Sequence, residues 1–540
     1  MKALTAAEMQ EVDRLTTVRF GIPSHKLMEA AGKSVAESFL EKYSERNGRL
    51  PGRVCVLCGK GNNGGDGFVV ARQLKGRVGQ VSVYLFAEPS ELRGDAGANF
   101  QRWQELGESV TVVRTEQDWE RAWSGVAGSE VIVDALLGTG IRGGASGLLA
   151  QVIENLNRYS QDAKAASPGW IVAVDTPSGL PSDGEAARGP VLRAHLTVTF
   201  TAPKIGQIVS RDAGNCGALV VREIGTPAAL IEEVGKGKLR WAGPDEFAEL
   251  PLQRAADAHK GLYGHVLIVA GSVGKTGAAV LCGQAALRGG AGLVTIATPQ
   301  PALPVIAAAQ AEYMTEALPS TPSGKIAAAE PERPGGFAAL LHGMTALGMG
   351  PGVGTHPETQ EFVRKVVGNA DLPIVLDADG LNAFAGQAEA LAERKSRYLV
   401  VTPHPGEMAR LCGRTTQQVQ ADRIQVASEF AGKWNAVVLL KGFHTVIAAP
   451  NGDVYVNTTG NAGLAKGGSG DVLTGLLAAL IAQFGAGDLH RIVALGAYLH
   501  GRAAELVSGR VDESGILAGE VAQAVPQARR ALLQELQARG

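Results

Sequence analysis

Cysteine is scarce: five residues in 540, at Cys55, Cys58, Cys216, Cys282 and Cys412. That number and spacing build no disulfide framework, and a reducing cytoplasm is the expected setting. Cys55 and Cys58 have CxxC spacing, yet they lie inside the strand-like RVCVLCG with no second pair or histidine beside them. Buried strand thiols are expected there, not zinc. Charge of one sign is also lacking, the net charge being −2. Neither nucleic acid nor an anionic membrane is therefore expected as a partner. No apolar run approaches the roughly 20 residues of a membrane helix. The opening MKALTAAEMQEVDRL is amphipathic and carries acids, unlike a secretory signal.

Glycine, by contrast, is plentiful: 71 residues, gathered after apolar runs and not in low-complexity tracts. The chain is too long for one typical core, so two or more domains are expected. Short β-branched runs ending in Gly or Asp alternate with helical stretches. The first half has RVCVLCG, VSVYLFA, EVIVDALLG, WIVAVDTPSG and HLTVTFTAP; the second has HVLIVAGS, GLVTIATP, ALGMGPG, PIVLDADG, YLVVTPHPGE and AVVLLKG. Such strands point to parallel sheets covered on both faces, with ligands at the carboxyl ends. The fold class expected is α/β in two domains, 1–234 and 235–540, divided within EEVGKGK. The first is read as a Rossmann-like doubly wound sheet. The Pro/Gly-rich EALPSTPSGKIAAAEPERPGGF is expected to be a surface loop of the second.

Two motifs nearly mislead. GKGNNG, Gly59 to Gly64, matches the dinucleotide fingerprint G-x-G-x-x-G, but the loop runs on as NNGGDG. GSVGKTG, Gly271 to Gly277, resembles a phosphate-binding P-loop, but Val269 stands where that pattern requires glycine. A third stretch, NAGLAKGGSGDVLTGLLAALIAQ, crowds glycines at the start of an apolar helix, where they cost stability. A helix start offers unpaired N–H groups and a positive dipole end. It reads as a phosphate cradle with Asp471 as the reacting group.

GKGNNGGDG (59–67), VDALLGTGIRG (133–143), VAVDTPSGLPSDG (172–184) and TFTAPKIG (199–206) together resemble the NAD(P)H-hydrate epimerase family. GIPSHKLMEAAG is similar to that family's N-terminal helix, with Ala30 in place of its usual asparagine. The resemblance implies a K⁺ site at Asn63, Asp134 and Ser178, whose oxygens suit a large, weakly hydrated cation. It implies that Asn62, Asn63, Gly64, Gly65 and Asp66, with Gly138, Thr139, Gly140, Ile141, Arg142, Gly143 and Gly144, hold the hydrated dinucleotide. Asp175 is the candidate substrate-contacting acid/base group, since epimerisation at the hydroxyl-bearing carbon needs ring opening or proton movement. An Asp ending a strand also commonly caps the next helix. For Lys204 the surrounding APKIG favours a substrate-side role only slightly.

GSVGKTGAA (271–279), GMGPGVG (348–354), VLDADGLN (375–382), TPHPGEMARL (402–411), KGFHT (441–445) and GNAGLAKGGSGDVLTG (460–475) resemble the ADP/ATP-dependent NAD(P)H-hydrate dehydratases, a ribokinase-like family. The resemblance implies that Asp471 takes the substrate hydroxyl's proton while the N–H groups of Gly467, Gly468, Ser469 and Gly470 stabilise the transferring phosphate. Lys441, Gly442, Phe443, His444 and Thr445 would bind the nucleotide. Ala278, Gly350, Gly352 and His404 would contact the hydrated substrate. Asp377 and Asp379 either organise Mg²⁺-bound water or cap the helix at Leu381. Ala462 replaces the family's usual proline. Lys466 replaces a usual small hydroxyl residue, which could strengthen phosphate binding or change donor preference. The implied co-substrate is ADP (or ATP), the implied partners are hydrated NADH and NADPH, and a homo-oligomer is expected. A small-molecule kinase with a non-catalytic N-terminal binding module is the competing reading. It shares GSGD; KGFHT, TPHPGE and NNGGDG weigh against it.

Overall fold

The computed structural model describes residues 1–140, 144–161, 169–330 and 335–539. The chain divides into two compact units, Lys2–Gly237 and Lys238–Gly540, the latter taking in Met1.

In the first unit seven strands form one parallel sheet. They are β1 (Arg53–Cys58), β2 (Gln80–Leu85), β3 (Thr111–Val112), β4 (Val131–Ala135), β5 (Trp170–Val174), β6 (Leu196–Phe200) and β7 (Ala218–Arg222). Their spatial order, β3-β2-β1-β4-β5-β6-β7, is that of a doubly wound sheet. The pleat sends Val54, Val56 and Cys58 to one core and Cys55 and Leu57 to the other. Burial on both faces explains why these strands read as unbroken apolar runs, each buried aliphatic side chain contributing about 1.5–3 kcal/mol. Both strand cysteines are fully buried, and burial pushes the Cys55 thiol up to about 12. The strand order reverses between β1 and β4, so the loops following them splay apart and open a crevice.

The second unit has ten strands: β8 (Leu239–Trp241), β9 (His265–Val269), β10 (Leu293–Pro299), β11 (Met314–Leu318), β12 (Ala346–Met349), β13 (Ile374–Leu376), β14 (Leu399–Val401), β15 (Val437–Leu440), β16 (Thr445–Ala448) and β17 (Val454–Asn457). Their order is β11-β10-β9-β12-β13-β14-β15-β16-β17-β8, reversing between β9 and β12. The sheet departs from the all-parallel expectation at one edge, where β15 to β17 are antiparallel. The connections 441–444 and 449–453 are too short for a crossover and make hairpins. The expected surface loop is also partly structured. Its first residues belong to β11, and Ile326 is fully buried beside a bridge to Ser320.

The helix Ser469–Phe484 is buried without a break from Val472 to Ile481 and packs against Thr276–Gly289. A helix enclosed on all sides needs no polar face, which accounts for its unusually apolar sequence.

Candidate active sites

In the first unit, a cavity of about 950 Å³ opens at the β1/β4 crevice. The expected residues Asn62, Asn63, Asp66, Gly138, Thr139, Gly140, Gly144 and Asp175 line it. The helix Asn62–Leu74 begins here, and the Gly65 N–H already donates to the Gly61 carbonyl at 3.1 Å. Gly64 and Gly65 pack inward, so among these five loop residues it is Asn62, Asn63 and Asp66 that face the cavity. Ile141, Arg142 and Gly143 lie outside the described residues.

Asn63, Asp134 and Ser178 are brought together around Leu137. The Asn63 Nδ2 donates to the Leu137 carbonyl at 2.9 Å, and the Leu137 N–H donates to Ser178 Oγ at 3.0 Å. Ser178 Oγ in turn donates to Asp134 Oδ1 at 2.6 Å, and the Ser178 N–H to Oδ2 at 2.8 Å. Asp134 is fully buried, and loss of water pushes its carboxyl up to about 6 against those hydrogen bonds. Asn63 Oδ1 is buried and has no donor among the described residues. A buried acceptor left unpaired costs about 1–3 kcal/mol, so this oxygen is suited to a cation. Among the described residues no group of three His, Cys, Asp or Glu side chains forms a metal cluster.

Asp175 ends β5 with φ 62°, a strained conformation for a non-glycine residue. Its backbone is clamped: the N–H donates to the Val198 carbonyl at 2.9 Å, and its carbonyl accepts from Gln207 Nε2 at 2.6 Å. Oδ1 forms an ion pair with Lys204 and accepts from Thr199 Oγ1 at 2.9 Å. Lys204 is buried, so the pair places one charged carboxylate on the cavity wall. Asp175 thus serves no helix cap. Of two further acids of the cavity, Asp66 was expected from its loop, whereas Asp13 was not conspicuous in the sequence. The Asp13 carboxyl is pushed up to about 6 by the surrounding wall, with Lys204 opposing and Asp175 reinforcing. The Asp66 carboxyl is raised further, by burial first and Asp175 second.

In the second unit, the expected residues gather where β9, β12, β13, β14 and β15 end. Asp471 stands in the first turn of Ser469–Phe484. Its carboxyl is pushed up to about 6, first by burial and then by Asp377, with Lys441 opposing. Asp377 is buried; its Oδ1 accepts from Lys441 Nζ at 2.8 Å and its Oδ2 from Thr474 Oγ1 at 2.9 Å. Burial works against the Lys441 charge, but Asp377 and Glu407 outweigh it and hold the ammonium above its usual range. Asp379 Oδ2 accepts from Lys275 Nζ and from the Gly354 N–H, each at 2.9 Å. Neither aspartate caps the helix Asp379–Asn382, whose N-cap is Ala378.

The glycine loop lies directly over this pair: a Cβ on Gly470 would stand 3.3 Å from Asp377 Oδ2 and 3.4 Å from Lys441 Nζ. Gly468 provides the helix N-cap at φ 95°, with no side chain capping the free amides. Gly350, at φ 121°, brings its α-carbon so close to the Asp377 carbonyl that a Cβ would sit 2.0 Å from that oxygen. Gly352 packs on Ala278 in the same way. His404 caps Pro405–Cys412: Nδ1 accepts from the Gly406 and Glu407 amides at 3.0 and 3.4 Å. Its proton therefore resides on Nε2, which lies 3.5 Å from Glu407 Oε1. Of KGFHT, Arg423 braces Gly442 and bonds the Phe443 carbonyl, Phe443 is exposed and stacks on His444, and Thr445 opens β16. Lys466 donates to the Ser514 carbonyl at 3.0 Å, so its cation is directed to that segment.

Two family profiles match the chain. One, described as YjeF-related protein N-terminus, covers residues 24–206; the other, NAD(P)H-hydrate dehydratase, covers residues 266–527. A bifunctional NAD(P)H-hydrate repair enzyme of Moorella thermoacetica is 41% identical over 540 residues, 99% of this chain and 98% of that protein. The chain belongs to the bifunctional NAD(P)H-hydrate repair enzyme family. The Escherichia coli K12 member is 31% identical across 96% of this chain and 92% of its own. Among solved structures, an ADP/ATP-dependent NAD(P)H-hydrate dehydratase of Bacillus subtilis, co-crystallised with ATP and Mg²⁺, is 33% identical, covering 54% of this chain and 98% of that one at a TM-score of 0.46. Membership favours the two-activity family over the competing kinase reading, because relatives align across both units.

Proposed function

We propose that the chain repairs hydrated NADH and NADPH in two steps. The first unit interconverts the R and S epimers. The second restores the S form to the reduced cofactor, with ADP (or ATP) as phosphoryl donor. The observation that carries this reading is similarity to bifunctional repair enzymes across both units, coinciding with an acid-lined cavity in the first and the Asp471, Asp377 and Lys441 cluster in the second.

In the second unit Asp471 accepts the substrate hydroxyl's proton as that oxygen attacks the donor's terminal phosphorus. Hydroxide, a poor leaving group, thereby becomes phosphate. Expulsion of phosphate and loss of a proton from the neighbouring carbon restore the ring double bond. The free amides at the start of Ser469–Phe484 and the Lys441 ammonium lie where the transferring phosphate's charge needs support. His404 Nε2–H, Ala278 and the Gly350–Gly352 turn supply the substrate side; Phe443 and its neighbours supply the nucleotide side. Mg²⁺ fits no carboxylate cage here, since Asp377 and Asp379 are already engaged by lysines. It belongs with the donor's phosphates in this reading.

In the first unit, Asn63 Oδ1, Asp134 and Ser178 fit K⁺, which would lock the loops after β4 and β5 against the substrate. Asp175 faces that substrate. We include homo-oligomeric assembly and a cytoplasmic setting in the proposal. Among the described residues no helix is long and apolar enough to cross a membrane, and the five thiols are unpaired. The test is to incubate hydrated NADH with the protein and ADP or ATP and follow return of the reduced-nicotinamide absorbance. Absence of recovery with either nucleotide would refute the reading.

A further inference from the structure

The cavity of the first unit holds more proton-carrying groups than a positioned base alone would need. Water added next to the nitrogen of a reduced nicotinamide ring makes a hemiaminal, a carbon bearing both hydroxyl and ring nitrogen. Inverting that carbon by ring opening moves two protons. The hydroxyl must lose one as the C=O bond forms. The ring nitrogen must gain one as the C–N bond breaks and its electron pair returns to nitrogen.

The structure accounts for the first proton. Asp175 Oδ1 is paired with Lys204 and accepts from Thr199, so its other oxygen remains for the hydroxyl. Lys204 does not account for the second. An ammonium has three N–H groups, and those of Lys204 are aimed at Asp175 Oδ1, Thr199 Oγ1 at 2.8 Å and the Phe200 carbonyl at 3.5 Å. It has none to give without breaking the network that fixes Asp175. Lys60, the other lysine of the wall, pairs with Glu91 at the surface.

Asp13 is placed differently. The Leu4 strand segment bridges to Lys204, with the Leu4 N–H on the Pro203 carbonyl and the Ile205 N–H on the Leu4 carbonyl, both at 3.0 Å. The helix Ala6–Phe20 starts immediately after, its N-terminus fixed by the Thr5/Glu8 capping box. That helix carries Met9, Gln10, Asp13 and Thr17 along one wall of the cavity. The Asp13 carboxyl makes no hydrogen bond or ion pair among the described residues, yet it feels both Lys204 and Asp175. Resting on the proposed epimerase activity, we propose that Asp13 is the second catalytic residue of the epimerase site, the acid that protonates the ring nitrogen while Asp175 takes the hydroxyl proton. Opening leaves Asp175 protonated and Asp13 ionised; rotation of the aldehyde and closure on its other face return both protons.

The charge environment agrees. Asp13, an exposed residue of the cavity lining, shares that cavity with Asp66, Glu91, Asp95, Asp175, Lys60 and Lys204; its carboxyl is raised to about 6, so it carries its proton below that pH and is mostly ionised at pH 7. Asp66 lines the same cavity, its carboxyl raised by burial first and Asp175 second, so the experiment compares the two acids directly.

The experiment measures R-to-S conversion in the intact chain without nucleotide, corrected for the spontaneous rate, in wild type, Asp13→Asn, Asp13→Glu and Asp66→Asn. Dehydration of purified S form in the same samples reports that the protein is folded and active. Asp13→Asn is expected to lose about 10²- to 10⁴-fold in the epimerisation kcat, with little change in KM. The wild-type rate should fall as pH rises through about 6, where Asp13 ionises, and that limb should vanish in Asp13→Asn. Asp13→Glu should recover much of the rate. An Asp13→Asn enzyme that epimerises at the wild-type rate, or a loss confined to Asp66→Asn, overturns the assignment. A wild type that does not epimerise at all would instead sink the functional reading beneath it.

Discussion

Replacing Asp471 with asparagine should remove activity and strengthen the fold at once. Its carboxyl lies at the start of Ser469–Phe484 beside Asp377, and its ionisation is moved from an ordinary 3.8 to about 6. In the folded protein the charged form is therefore disfavoured, chiefly by burial. A carboxyl raised on folding supports the fold below its unfolded pKa and ceases to do so as pH climbs through the folded value. At roughly 1.4 kcal/mol per pH unit, the displacement corresponds to about 3 kcal/mol for a sealed carboxylate. Asp471 keeps some water contact, so neutral asparagine should stabilise the second unit by on the order of 1–2 kcal/mol near pH 7, with no difference near pH 4. Activity should move the other way. Proton abstraction needs the carboxylate, so wild-type dehydration should rise with pH through about 6. Asp471→Asn should lose about 10²- to 10⁴-fold in kcat while binding nucleotide almost normally. Urea denaturation at both pH values, single-turnover dehydration of the S form and titration calorimetry with ADP or ATP separate these effects. Near-normal turnover would show that Asp471 is not the base; lower stability at pH 7 would show that its charge is not strained.

Asp134→Ala should weaken epimerisation and abolish any preference for K⁺ over Li⁺, leaving dehydration of S form unchanged; a K⁺-dependent epimerase surviving in this variant contradicts the assigned ion. A chain cut after Gly237 should epimerise without nucleotide, and the remainder from Lys238, which retains β8, should consume one epimer and stop. Consumption of both epimers at equal enzymatic rates by the second piece would end that division of labour. Lys466→Ser should change stability by less than about 0.5 kcal/mol and leave the KM for ADP and ATP within a few-fold, because its ammonium engages the exposed Ser514 carbonyl. A ten-fold change in either KM would place the lysine at the phosphates.

What could be read from the sequence follows from how each residue is enclosed. β1, β4, β5, β9 and β14 announced themselves because burial on both faces leaves no polar alternation, and because Gly, Asp and Pro cluster at their carboxyl ends. The antiparallel pair β16 and β17 carries a hairpin signal, Asn451-Gly452, but it lies within a βα rhythm that otherwise implies parallel pairing. β3 is two residues long and β8 three, too short for any pattern. The candidate carboxylates at strand ends were visible through their motifs, whereas Asp13 sits mid-helix, where an acid reads as solvent-facing. Only tertiary closure around the crevice gives it a second carboxylate and a buried lysine for company. Lys204 was undervalued for the same reason: a sequence does not display that an ammonium will be buried with all three donors occupied.

The two units share a physical device despite their different sheets. In each, a lysine pins one aspartate: the buried Lys204 holds Asp175, and the half-buried Lys441 holds the buried Asp377. In each, a neighbouring acid, Asp13 or Asp471, makes no ion pair among the described residues and is pushed up to about 6. A pinned carboxylate orients whatever touches it; an unpinned one raised to about 6 can gain and lose a proton each cycle. Placing both types at one crevice separates orientation from proton transfer. The chemistry assigned to each unit uses them differently. Dehydration begins with one proton removal, which Asp471 suffices to perform while Asp377 fixes Lys441 beneath the glycine loop. Epimerisation by ring opening needs removal and delivery together, so there the pinned aspartate must face the substrate as well. This difference explains why Asp175 keeps one oxygen open to its cavity while both oxygens of Asp377 are tied to protein donors.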